Sequence, residues 1–99
     1  MKNLNPLEKD IEKRVCKYAA SLGILHYKFT SPSRRSVPDR IFVLPDGKGV
    51  FWIEFKRKGE KPTRSQAVEI EKIRKQGVNI YVCDSVEDGE GTIQMEMMF

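Results

Sequence analysis

Ninety-nine residues, 39% hydrophobic and 32% charged, describe one compact domain over residues 1–99 with room for a single modest core. That balance excludes a disordered chain, and no run of about 18 apolar residues offers itself as a membrane span. The net charge of +4 is modest, so where the cations lie matters more than how many there are.

The N-terminal stretch lacks the apolar run and small-residue cleavage site of a secretory leader, so a cytoplasmic location is expected. Asn5-Pro6-Leu7-Glu8 reads as a helix start, with Asn5 as N-cap, Pro6 in the first helical position and Glu8 completing a capping-box-like pattern. Ile11, Val15, Tyr18, Ala19 and Leu22 recur at helical spacing, and Gly23 is a fitting stop. Residues 24–30 are rich in β-formers and read as a strand, and the proline- and serine-rich residues 31–38 as a loop. Residues 40–44 are a second strand, Pro45-Asp46-Gly47-Lys48-Gly49 a hairpin turn, and residues 50–56 a third and most apolar strand.

After a basic loop, Thr63 can cap a second helix running to about Gln76, with Ala67, Ile70 and Ile73 turned inward and Gly77 ending it. Residues 78–83 form a short apolar strand. The tail is acidic from Asp84, then closes on Met95, Met97, Met98 and Phe99, which the pattern assigns to a final edge strand and an interface patch or core cover. The order is thus α-β-β-β-α-β. An antiparallel hairpin and a parallel strand-helix-strand crossover make an α/β fold with a central mixed sheet flanked by helices. Cys16 and Cys83 fall in a helix and a strand and are expected as buried thiols. With one histidine, His26, and no C-x-x-C pair, a zinc site is not expected.

The chemistry concentrates in Val50-Phe51-Trp52-Ile53-Glu54-Phe55-Lys56. Glu54 and Lys56 share one face of an otherwise apolar strand, and charges there are costly unless paired or bound to a metal. Trp52 shares that face deeper along the strand, where core packing is expected. Asp39 opens the strand joined to this one by the hairpin, so antiparallel pairing brings it level with residues 54–56. Two carboxylates and an ammonium at one sheet edge suit Mg²⁺ or Mn²⁺ and a phosphodiester. Spacing alone also fits, and rather better, a partly exposed ion network at a strand end with no site. Thr63-x-x-Gln66 is a capping box and needs no function to explain it. Glu8 and Glu12 lie four residues apart on one helix face and can both reach the site.

Pro38-Asp39 followed by Glu54-Phe55-Lys56 resembles the signature of the PD-(D/E)xK nuclease superfamily. With Lys28-Phe29-Thr30-Ser31-Pro32, Ser36-Val37-Pro38-Asp39-Arg40, Phe51-Trp52-Ile53, Gln66 and residues 77–82, the set is similar to the stand-alone VRR-NUC domains of phages and bacteria. It departs at Ser36, where the family usually has glycine.

The resemblance implies a restriction-endonuclease-like arrangement and a metal-dependent DNA endonuclease acting on branched DNA, Holliday junctions or flaps. It also implies a homodimer. Asp39 and Glu54 would be side-chain metal ligands, the Phe55 backbone carbonyl a further ligand, and Lys56 the group that orients or deprotonates water or neutralises the phosphate. A helix-borne glutamate, Glu12 ahead of Glu8, and Gln66 would complete the site. Lys28, Arg34, Arg35, Arg40, Lys58, Lys61 and Arg64 are candidate phosphate contacts, together with Arg57. The rival readings are a branched-DNA-binding module with an inactive site and a non-catalytic scaffold.

Overall fold

The structure is a computed structural model and describes residues 7–30 and 38–99. Asn5, Pro6, Arg34, Arg35 and Ser36, with the readings placed on them, lie outside the described residues. The elements run α1 (Glu8–Ser21), β1 (Leu25–Lys28), β2 (Arg40–Val43), β3 (Val50–Phe55), α2 (Arg64–Lys75), β4 (Ile80–Cys83) and α3 (Val86–Met98). The sheet order is β1-β2-β3-β4, antiparallel across the first two pairs and parallel between β3 and β4, as the crossover pattern implies.

The α1 apolar stripe packs Ile11, Val15, Cys16 and Ala19 onto the sheet face that carries Phe42, Phe51, Ile53, Phe55 and Cys83. Phe42 and Phe51, opposite each other on β2 and β3, stack with centroids 5.0 Å apart. The helix begins after Leu7, which is extended and makes no side-chain cap bond. In the hairpin, Asp46 and Gly47 both take positive φ, 59° and 70°. Such a turn suits the twist of the flanking strands, and it fixes the β2–β3 register.

The tail corrects the expected edge strand: it is the helix α3. Ser85 caps it by accepting from the Asp88 N–H, Glu87 and Asp88 suit its first turn, and Ile93 is fully buried in the core. Gly89 and Gly91 weaken the helical signal in sequence. A Cβ on Gly89 would stand 2.5 Å from the Val15 Cγ2, so glycine is what lets α3 lie close against α1. Of the terminal apolar residues, Met97 packs on the core, while Met98 and Phe99 are 75% and 88% exposed.

Helix α2 lies over the other face, where Ile70 and Ile80 are buried. Ala67, expected inward, is exposed, and Ile73 is half-buried, because only a narrow strip of α2 meets the sheet. Trp52 is half-buried on this face rather than enclosed, its ring edge-to-face with Phe29 at 5.0 Å. Cys16 and Cys83 are buried free thiols, each pushed up to about 11 by burial and therefore neutral.

Candidate active site

Register does most of the assembly. Arg40 pairs with Ile53, so Asp39 stands level with Glu54 at the sheet end. The Asp39 backbone carbonyl accepts from the Phe29 N–H at 2.9 Å, and its Oδ2 accepts from the Phe55 N–H at 3.1 Å. The Asp39 backbone is thereby held beside the end of β1 and its carboxylate against β3.

Glu54 is 2% exposed. Its Oε2 lies 3.3 Å from Lys56 Nζ and accepts from Gln66 Nε2 at 3.0 Å. Gln66 Oε1 accepts from the Thr63 N–H at 2.9 Å, and the Thr63 hydroxyl accepts from the Gln66 N–H at 3.2 Å. The capping box and the reach to Glu54 are thus one arrangement: the cap holds the glutamine so that its free amide donates to the site. Thr63→Ala is accordingly expected to cost about 1 kcal/mol of stability, read from a urea titration.

The carboxylates repel one another. Burial raises the Asp39 pKa first, with the Glu12 charge adding to it. The Phe55 N–H, Lys56 and Lys28 oppose the rise. Glu54 is pushed up to about 7 by burial and then by the charge of Asp39, against the pull of Lys56. Glu8 is raised by burial and by Asp39, with Lys56 opposing.

Glu12, 8% exposed, is held by Arg40, whose Nε lies 2.5 Å from its Oε2 and whose Nη1 stands 3.3 Å from His26 Nδ1. The structure therefore brings Asp39, Glu54, Lys56 and Gln66 together, with both α1 glutamates in the electrostatic field of the site. Lys58, Lys61 and Arg64 lie exposed on the loop and first turn that follow β3, and Lys28 is exposed at the end of β1. Arg57 is paired with Glu60 at 3.9 Å.

One contact has no counterpart in the sequence reading. The Gly59 N–H donates to Asp84 Oδ2 at 3.0 Å, tying the loop after β3 to the end of β4. Parallel pairing of β3 with β4 is the one signal that could have found it.

Among the described residues, no group of three or more His, Cys, Asp and Glu side chains stands gathered to hold a metal ion. Two hard carboxylates level with each other at the sheet end, one raised by the charge of the other, are nevertheless a donor set suited to Mg²⁺. That ion commonly takes one or two carboxylates and keeps several waters.

No family profile matches the chain. It is 44% identical over 78 residues to "Putative nuclease p44" of Acyrthosiphon pisum secondary endosymbiont phage 1, covering 79% of this chain and 83% of the relative. A solved structure described as a VRR_NUC domain superposes with a TM-score of 0.80 at 30% identity, covering 88% of this chain and 94% of that one. The sheet with its flanking helices, the register that sets Asp39 level with Glu54, and both likenesses agree: the chain belongs to the VRR-NUC domain family of nucleases.

Proposed function

We propose that this protein is a divalent-metal-dependent DNA endonuclease that uses Mg²⁺ or Mn²⁺ and prefers branched DNA. The observation that carries the reading is Glu54, a nearly inaccessible carboxylate beside a second one, with Lys56 as the cation that offsets its own charge. Burial on these terms is costly for a structural ion network, and a bound cation would remove the cost. When bound, such an ion polarises a phosphodiester and lowers the pKa of a bound water.

Asp39 and Glu54 hold the ion with the Phe55 backbone carbonyl, and the Phe55 N–H keeps Asp39 aimed toward Glu54. Gln66 steadies Glu54 through its amide. The Lys56 ammonium, beside Glu54 at the strand end, orients the attacking water or neutralises charge on the phosphate. Of the α1 glutamates this reading favours Glu8 over Glu12. Glu12 is engaged by Arg40, whereas Glu8 makes no ion pair among the described residues and lies in the field of Asp39 and Lys56.

Branched substrates need cuts on symmetric strands, which suits a two-fold homodimer. The exposed sheet face bearing Leu25, Tyr27 and Val50 offers apolar surface for a second copy, as do Met98 and Phe99. The test is a nicking assay on linear, flap and four-way-junction DNAs with Mg²⁺, Mn²⁺ or EDTA, run beside Asp39→Ala. Nicking of the branched DNAs that requires the metal and disappears in a folded Asp39→Ala variant is expected. Junction binding with no nicking under any metal would instead indicate a recognition module.

A further inference from the structure

A second feature lies along the flank of α1, beside the core stripe. Lys9, Lys13 and Lys17 follow one another at four-residue intervals on one helix face and, with Lys28 and Arg40, line a groove of about 490 Å³ between α1 and the β1–β2 edge. Glu12 is the one acidic residue in its lining, and Arg40 already engages it. Cys16 and His26 complete the wall. Burial and the Arg40 charge lower the His26 pKa, so its ring adds no charge at neutral pH.

These lysines are not explained by the stability of the helix. Lys9 sits in the first turn of α1, where a cation opposes the helix dipole. On α2, by contrast, Lys72 and Arg74 each meet a glutamate three residues earlier. Lys9, Lys13, Lys17 and Lys28 have no ion-pair partner within 4.0 Å among the described residues. The three helix lysines span about 12 Å at 1.5 Å per residue, or between three and four axial steps of one DNA strand at about 3.4 Å each. The groove is also continuous with the active site. Lys28 and Glu12 both act electrostatically on Asp39, and Arg40 follows Asp39 in the chain.

We propose that this groove binds the phosphodiester backbone of DNA flanking the scissile phosphate, with Lys9, Lys13 and Lys17 as successive phosphate contacts. The proposal rests on the nuclease reading of the adjoining site and adds a surface to it. It extends the footprint from the β3–α2 loop cations across the sheet end to the opposite side of the molecule. A duplex arm on each side of the cut is what a branched substrate presents.

The experiment measures binding alone, so it stands apart from the cleavage test. Fluorescence anisotropy of a labelled four-way junction and a labelled 30-base-pair duplex is followed in EDTA across a NaCl series. The proteins are the wild type, a Lys13→Gln/Lys17→Gln variant, and a charge-matched Lys72→Gln/Lys75→Gln variant. Removing two phosphate contacts should weaken binding by about tenfold and lower the slope of log K against log salt by about 2, and the α2 pair should change neither. Circular dichroism melts confirm that both variants remain folded.

Equal affinity and equal salt slope for the α1 variant and the wild type would overturn the proposal. So would the absence of wild-type binding to either DNA. Displacement by poly-glutamate as readily as by unlabelled DNA would reassign the groove to an acidic polypeptide and overturn it as well. Wild-type protein that binds through these lysines yet nicks nothing with Mn²⁺ would sink the nuclease reading while leaving the groove intact.

Discussion

Glu54→Gln should abolish nicking and at the same time make the metal-free protein more stable at neutral pH. Loss of the ligand removes electrostatic stabilisation where the phosphate reacts, and a fall of about 10³-fold or more is expected. The gain in stability follows from linkage. Burial and the Asp39 charge lift the Glu54 carboxyl from 4.5 to about 7 in the folded protein. Between those values the folded protein keeps a proton that the unfolded chain has released. The stability tied to that proton is fully present below about pH 4.5 and is lost as the pH rises through 7.

A neutral amide avoids the loss. Its carbonyl oxygen can take the place of the Oε2 that accepts from Gln66 and Lys56. A gain of about 1–2 kcal/mol at pH 8 corresponds to roughly 5–10 °C in a domain of this size. Melts in EDTA at pH 5 and pH 8 check the sign: the wild type should be the less stable of the two at pH 8, with the gap closing at pH 5. Added Mn²⁺ should stabilise the wild type at pH 8 and leave Glu54→Gln unmoved. A variant that melts lower than the wild type at pH 8 would show that the carboxylate stabilises the fold, which is what a purely structural ion pair requires.

The two helical glycines of α3 should respond to alanine with opposite signs. Both substitutions relieve an intrinsic helix penalty of about 1 kcal/mol. At Gly91 the new methyl meets nothing within 4 Å, so Gly91→Ala should stabilise by up to about that amount. At Gly89 the methyl would stand 2.5 Å from Val15 Cγ2 and 3.0 Å from Val15 Cγ1, inside the α1–α3 contact. Overpacking of a close-packed core costs about 1–3 kcal/mol, which outweighs the propensity gain.

Gly89→Ala is therefore expected to lower the melting temperature by roughly 5 °C, and Gly89→Leu by more. A Val15→Ala change in the Gly89→Ala background should recover part of the loss, because it removes the two methyls that collide. Equal stabilisation by both alanines would show that α3 does not rest on Val15. Urea titrations of the wild type, Gly89→Ala, Val15→Ala and the double variant supply the coupling between the two sites.

The local chemistry was legible in the sequence. Alternation along residues 50–56 put Glu54 and Lys56 on one face, and the Asp46-Gly47 turn fixed the register that sets Asp39 level with Glu54. Strand period and turn geometry each involve only neighbouring residues, so the pattern carries them without help from the rest of the chain. The dual role of Gln66 was half legible. The capping box is a four-residue motif, whereas its bond to Glu54 requires α2 to start where β3 ends.

Docking decided the rest. Ser85 and the acidic residues after it are helix-start signals, but Gly89 and Gly91 mask them, and only the docked structure shows that Gly89 is what admits the close approach to Val15. The sequence favours Glu12 over Glu8 because Glu12 adjoins the apolar stripe, and that order is reversed by a contact that spacing does not show, Arg40 reaching Glu12 from β2. The lysines of α1 were hidden for the same reason. A helix pattern names its buried stripe, but which strand cations its polar face meets is fixed by contacts between residues far apart in the chain.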